Sequence, residues 1–135
     1  APATGQAWRH AGWVRPITEG IVEAASLVSR RLGAALLVVA THSGRTALAL
    51  SKQRHAAPTL ALADTAETAR AMALYWGVTP RRMPLLKSTD DIFKEFVHAV
   101  TLSKEVKRGD LLVMVAKSSW VGSTINDLIK VHQVE

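Results

Sequence analysis

Ala35-Leu36-Leu37-Val38-Val39-Ala40-Thr41-His42-Ser43-Gly44-Arg45-Thr46 is the stretch on which the fold turns. Its first six residues are apolar without a break, so both faces of an extended segment are apolar. That pattern belongs to a strand of a parallel sheet covered by helices on each side. Thr41-His42-Ser43-Gly44 stops the run, and a helical stretch over residues 45–55 follows, with Ala47, Leu48, Leu50 and Ser51 inward. Pro58 ends that helix. Strand, polar turn with a glycine, then helix is the basic unit of an α/β protein.

Upstream, Ile17, Ile21, Ala24, Val28 and Leu32 recur at steps of three or four and predict a helix from Pro16 to near Gly33 with one apolar stripe. Pro16 suits the first helical position, where a missing N–H costs nothing. Residues 1–15, with Trp8 and Trp13, lack a period and read as a linker or arm, leaving residues 16–135 as the domain. Downstream, residues 59–63 predict a second strand. Asp64-Thr65-Ala66-Glu67 reads as a capping box that opens a helix running to Tyr75-Trp76 and closed by Gly77. Trp76 is expected to pack against the sheet.

Residues 82–86 predict a third strand. Ser88-Thr89-Asp90-Asp91 caps a helix whose buried stripe is Ile92, Phe93, Phe96, Val97 and Val100. Lys107-Arg108-Gly109-Asp110 is a turn, and residues 111–116 form a fourth strand, again apolar on both faces. After a loop over 117–124, residues 128–134 alternate: Leu128, Lys130, His132 and Val134 on one side, Ile129, Val131 and Gln133 on the other. Alternation after a short loop predicts an antiparallel strand at the sheet edge. The order α-β-α-β-α-β-α-β-β gives an α/β fold, a three-layer αβα sandwich with a mixed five-stranded sheet.

With 135 residues, 48% hydrophobic and 21% charged, the chain has the make-up of one globular domain rather than a disordered or fibrous one. It contains no cysteine, which excludes disulfide frameworks, thiolate zinc sites and thiol nucleophiles. No secretory leader is recognisable, and the longest apolar run, residues 32–40, is far short of the roughly 20 residues that span a bilayer. A cytoplasmic location, with neither membrane nor nucleic acid as partner, is the expectation. The net charge is +6, and +5 of it falls in residues 1–60, where Arg9, Arg15, Arg30, Arg31, Arg45, Lys52 and Arg54 face only Glu19 and Glu23. This bias fits a small anionic ligand or simply a solvated basic surface. The bases are scattered and aromatics are only 5%, against a nucleic-acid stacking platform.

The strongest candidate site is Thr41, His42, Ser43, Gly44, Arg45 and Thr46. A hydroxyl-rich turn at a helix N-terminus offers N–H groups and the positive dipole end to a phosphate. The same residues also serve as an ordinary N-cap through Ser43 or Thr41. Trp120, beside Gly122 and Ser123, lines a site or lies on the surface. Histidines at 10, 42, 55, 98 and 132 show no metal-ligand spacing, and Asp90 and Asp91, adjacent on a helix, point apart. No acid–base pair, nucleophile or metal set assembles, so catalysis by this chain alone is not expected.

Thr41-His42-Ser43-Gly44-Arg45-Thr46-Ala47, Leu50-Ser51-Lys52-Gln53-Arg54, Ala57-Pro58, Thr68-Ala69-Arg70, Leu74-Tyr75-Trp76-Gly77-Val78 and Lys107-Arg108-Gly109-Asp110 closely resemble the carboxy-terminal domain of pyruvate kinase. Gly122-Ser123-Thr124 and Leu128-Ile129-Lys130-Val131-His132 resemble that domain's last strand, and the resemblance runs from about residue 16 to 135. It implies a strand order of 3-2-1-4-5, with the last strand antiparallel. The loops 41–46 and 117–124 then meet at the reversal of strand order, with Lys117, Trp120 and Gly122 facing the phosphate turn.

In that family the domain binds allosteric sugar phosphates or nucleotides and contributes to subunit contacts. The resemblance therefore implies a regulatory domain that forms a homodimer or higher oligomer. The catalytic barrel, with its Mg²⁺ and K⁺ sites, is a different domain whose motifs are absent here, so no cofactor is expected in this chain. Where fructose-bisphosphate-activated members carry a Trp and an Arg for the second phosphate, the matching positions here are Ser88 and Glu95. An acid there favours a sugar or nucleotide monophosphate. Whether the chain is part of a full kinase or a free-standing phosphometabolite-binding protein stays open on the sequence.

Overall fold

A computed structural model describes residues 14–41, 43–53, 57–84, 88–117 and 126–135. The elements in chain order are α1 (Val14–Leu32), β1 (Leu36–Ala40), α2 (Arg45–Gln53), β2 (Thr59–Ala63), α3 (Ala66–Met72), β3 (Val78–Arg82), α4 (Thr89–Leu102), β4 (Leu111–Ala116) and β5 (Leu128–Gln133). The five strands form one sheet in the order β3-β2-β1-β4-β5. β1 runs parallel to both β2 and β4, β2 runs parallel to β3, and β5 is antiparallel to β4. This is the α/β sandwich and the mixed sheet that the sequence implied.

All five residues of β1 and of β2 are buried. Their alternating side chains feed two cores. Leu37, Val39, Ala61, Ala63, Val113 and Val115 point to the side holding Val22 and Ala25 of α1, Ala47 and Leu50 of α2, and Met72 of α3. Leu36, Val38, Leu60, Leu62, Leu112 and Met114 point to Ile92, Phe93, Phe96 and Val100 of α4. Each fully buried Leu, Val or Phe contributes about 1.5–3 kcal/mol of transfer free energy. Three helices on one face and one on the other complete the three layers.

Five expectations need correction. The third strand lies at residues 78–82, not 82–86. Its sequence, Val-Thr-Pro-Arg-Arg, is unlike a buried strand, because β3 is an edge where a proline, the half-buried Arg81 and the exposed Arg82 are tolerated. Helix α1 starts at Val14, two residues before Pro16, so the proline is the third helical residue, still within the turn whose N–H groups lack intrahelical acceptors.

The face that α1 buries matches the expected stripe only in part, through Ile21 and Val28, which pack against the core. Val22, Ala25, Ser26 and Ser29 are the buried residues, while Ile17 and Leu32 of the expected stripe are exposed. Small side chains let this helix lie close against its neighbours, which the larger ones would hold off. Finally, the α3 cap is Thr65, whose hydroxyl accepts from the Thr68 N–H at 3.1 Å, so Asp64 and Glu67 do not form the capping box. The α3 helix itself stops at Met72, short of the expected Tyr75-Trp76.

Two smaller departures follow from exposure. Leu48, expected inward on α2, is exposed, and Trp76 is 53% exposed instead of packing on the sheet. The Trp76 carbonyl accepts from the Ser51 hydroxyl at 2.8 Å. The α4 cap is as read: the Ser88 hydroxyl accepts from the Asp91 N–H, and Asp90 and Asp91 occupy the first turn beside the positive dipole end. Among the described residues, no helix is long and apolar enough to cross a membrane.

Ser26 and Ser29 carry a testable consequence. Both hydroxyls are buried and meet no hydrogen-bond partner among the described residues. Alanine removes the desolvation penalty and has the higher helix propensity. Ser29→Ala is expected to stabilise the fold by about 1 kcal/mol, raising the thermal midpoint by about 3–5 °C. Thermal unfolding followed by circular dichroism checks this, and a lowered midpoint contradicts it.

Candidate functional site

Brought together at the carboxyl ends of the central strands are the residues that follow β1, β2 and β4. Val39 pairs with Val115 and Ala40 with Leu62, so the chain leaves the sheet at Thr41, Asp64 and Lys117 on three adjacent strands. The strand order reverses between β1 and β4, because β2 and β3 continue to one side of β1 while β4 and β5 lie on the other. Open α/β sheets form their crevice at such a point.

Thr41 is buried, and its N–H donates to the Leu62 carbonyl at 3.0 Å, extending the ladder one residue past β1. Its hydroxyl oxygen accepts from the Gly44 N–H at 3.0 Å. The exposed Ser43 accepts from the Arg45 N–H at 3.3 Å. Both hydroxyls thus act as local caps, and each keeps its own proton for a further acceptor. The first α-helical bond of α2 runs from the Leu48 N–H to the Gly44 carbonyl at 2.9 Å. The N–H groups of Thr46 and Ala47 therefore stand ahead of the helical ladder, at its positive end.

Gly44 has φ +83°, the left-handed region that L side chains rarely adopt. A Cβ built there would lie 3.2 Å from Cγ of Met72 and 3.6 Å from the Tyr75 hydroxyl. The turn therefore needs glycine for two reasons, backbone conformation and the close approach of α3. Arg45, the first residue of α2, is exposed. Thr46 is buried, and its hydroxyl oxygen accepts from Nδ2 of Asn126 at 2.8 Å. His42, Trp120 and Gly122 lie outside the described residues.

Lys117 is only 5% exposed. Burial pushes its ammonium pKa below the usual lysine range, and the nearby Asp64 carboxylate opposes that shift in part. Its backbone carbonyl accepts from the Thr89 hydroxyl at 2.6 Å, which ties the start of α4 to the end of β4. Asp64, Thr89 and Asn126 were missed as members of this region. Asp64 looked like a helix cap and Thr89 like part of one, while Asn126 carried no reading at all. Only the pairing of strands distant in sequence gathers them. Among the described residues, no three His, Asp or Glu side chains converge to hold a metal ion.

Comparison with known proteins addresses the same architecture. A family model described as "Pyruvate kinase, alpha/beta domain" matches residues 19–132. A pyruvate kinase of Geobacillus stearothermophilus is 34% identical over 119 residues, covering 87% of this chain and 20% of that protein. One from Clostridium acetobutylicum is 34% identical over 104 residues, covering 77% and 22%. The chain thus spans about a fifth of the length of the curated relatives it matches. A crystal structure of a pyruvate kinase from Cryptosporidium parvum superposes with a TM-score of 0.78 at 19% identity, covering 88% of this chain and 23% of the other, which shows the shared fold. With a matched model across most of its length and this fold, the chain belongs to the pyruvate kinase alpha/beta domain family.

Proposed function

We propose that this chain is a regulatory and subunit-contact module of a pyruvate kinase, without catalysis of its own, whose effector is a small phosphate monoester held at residues 41–46. The observation that carries the reading is the turn itself. Gly44 is forced left-handed, two hydroxyls are locked as acceptors with protons to spare, and the N–H groups of Thr46 and Ala47 open the α2 helix. Lys117, leaving the neighbouring strand β4, adds positive charge from across the crevice. Hydrogen bonds to a charged group are each worth about 1.5–3 kcal/mol, and about 1.4 kcal/mol is tenfold in affinity. A few such bonds reach the micromolar to millimolar range.

A second phosphate is disfavoured. Ser88 is occupied as the α4 cap, and Asp90, Asp91 and Glu95 all lie on the first two turns of that helix. The subunit-contact role is supported by the edge position of β5, beyond which no strand lies among the described residues, with Val131 44% exposed, and by Ile17, Leu27 and Leu32 on the outside of α1. An edge strand without a proline is a template for another chain, and two copies meet there by an isologous two-fold contact.

Three outcomes are expected. In calorimetric titrations, ribose 5-phosphate, glucose 6-phosphate or AMP binds more tightly than fructose bisphosphate, and Ser43→Ala with Thr46→Ala weakens binding at least about tenfold. No binding by any of them below about 10 mM, or an unaffected double variant, reduces the turn to a helix cap.

The second outcome is a pH dependence. Lys117 loses its proton below the usual lysine range, so phosphate affinity falls with rising pH earlier than an ordinary lysine would allow, at pH values where the phosphate itself no longer changes charge. Lys117→Met flattens that limb of the profile. An unchanged limb in the variant removes Lys117 from the site.

Third, light scattering over a dilution series shows a dimer that Val131→Pro dissociates. A monomeric mass at the highest concentration removes the edge contact.

A further inference from the structure

Asn126 is 4% exposed and lies two residues before the start of β5, yet its side chain reaches a residue 80 positions away. Nδ2 donates to the Thr46 hydroxyl oxygen at 2.8 Å. Oδ1 is buried and meets no donor among the described residues. Among the described residues this buried amide is therefore held by a single bond, and a buried polar group so lightly held calls for an explanation beyond stability. On the backbone side, the next N–H, of Asp127, donates to the Ala116 carbonyl at 3.1 Å, and Leu128 pairs with Ala116 to begin β5. One side chain therefore joins the first turn of α2 to the start of the edge strand.

The chemistry of the bond sets its direction. A hydroxyl whose lone pair is taken by an amide donor keeps its proton free, so Thr46 is presented as a donor toward the mouth of the turn. When that proton is given to an anion, the hydroxyl oxygen becomes more negative and a stronger acceptor for Nδ2–H. Occupation of the turn and tightness of the Thr46–Asn126 bond then reinforce each other.

We infer that Asn126 is a positioning residue for the phosphate turn, aiming the Thr46 hydroxyl and transmitting occupancy of the turn to the start of β5. The inference rests on the phosphate reading given above. Linkage makes the coupling reciprocal: whatever orders the start of β5 strengthens anion binding at the turn.

The test titrates inorganic phosphate into the ¹⁵N-labelled full chain and follows backbone amide shifts. In the parent, the amides of Gly44, Thr46 and Ala47 respond, and those of Asp127 and Leu128 respond with the same midpoint. In Asn126→Ala the midpoint rises about three- to tenfold, and the response at Asp127 and Leu128 is lost while that at Gly44 remains. The Ala effect vanishes in a Thr46→Val background but persists in full beside Ser43→Ala.

Asn126→Asp serves if the alanine variant does not fold. It keeps the size but accepts the Thr46 proton, and is expected to weaken binding more than tenfold at pH 7. Binding recovers as pH falls through the carboxylate range. A parent that shows no phosphate response overturns the phosphate reading, and this inference with it. A parent that responds while Asn126→Ala keeps both its midpoint and the Leu128 response overturns the positioning role alone. So does an Ala effect of equal size in the Thr46→Val background.

Discussion

The covering of β1 on every side is the constraint from which the rest of the structure follows. Its backbone is paired with β2 on one edge and β4 on the other, and its side chains face helices above and below. A strand so enclosed has no alternative partner for its N–H and C=O groups, since water cannot reach them. Its parallel neighbours must be reached by crossovers, and the right-handed rule leaves few ways to place them. β2 lies to one side, reached through α2, and β4 to the other, after the excursion through α3, β3 and α4. The opening between the ends of β1 and β4 is a consequence of that placement. It is where Thr41 and Lys117 stand.

Elements that are buried on both faces were legible in the sequence because nothing else explains an unbroken apolar run of five or six residues. β1, β2 and β4 fall within a residue of the expected bounds for this reason. Strand β5 was legible from alternation, and its faces are as read: Val134 enters the α4 core and Ile129 packs on the other. The Lys130 ammonium lies 4.8 Å from the centroid of the Phe93 ring and 3.6 Å from Asp90, so even the polar residues of that side keep to the α4 face.

The β3 edge and the close approaches were not legible. An edge strand such as Thr79-Pro80-Arg81-Arg82 carries no run, and Arg81 is fixed instead by a salt bridge to Glu105 across from the sheet. That arginine, with the Ser103 hydroxyl, holds the Glu105 carboxyl below the usual range. On α1 the expected stripe holds at its middle, where Ile21 and Val28 pack on the core, but its ends Ile17 and Leu32 are exposed and the buried positions are Val22, Ala25, Ser26 and Ser29.

The site divides in the same way. Thr41, Ser43, Gly44 and Thr46 announce themselves because a hydroxyl-rich turn with a glycine between strand and helix is a local pattern. Whether those hydroxyls cap the helix or wait for a ligand is not a local matter, and the geometry allows both at once. Asn126 had no local signal, because the bond that matters spans 80 residues. Asp64 had a misleading one, since an acid before a helix is normally a cap, whereas here Thr65 takes that role and leaves Asp64 to the electrostatics of Lys117.

The two ends of the sheet are unlike each other, and this sets a valence. At β3, Pro80 sits at the middle of a five-residue strand followed by two arginines, and a proline in a ladder is confined to an edge that pairs no further. At β5 none of the six residues is a proline, so each carries an N–H, and among the described residues no strand pairs on its outer side. A sheet with one blunt end and one receptive end is monovalent for strand addition. A strand added to this sheet would therefore add at β5 and not at β3, and two copies joined that way would close on themselves instead of growing into a filament.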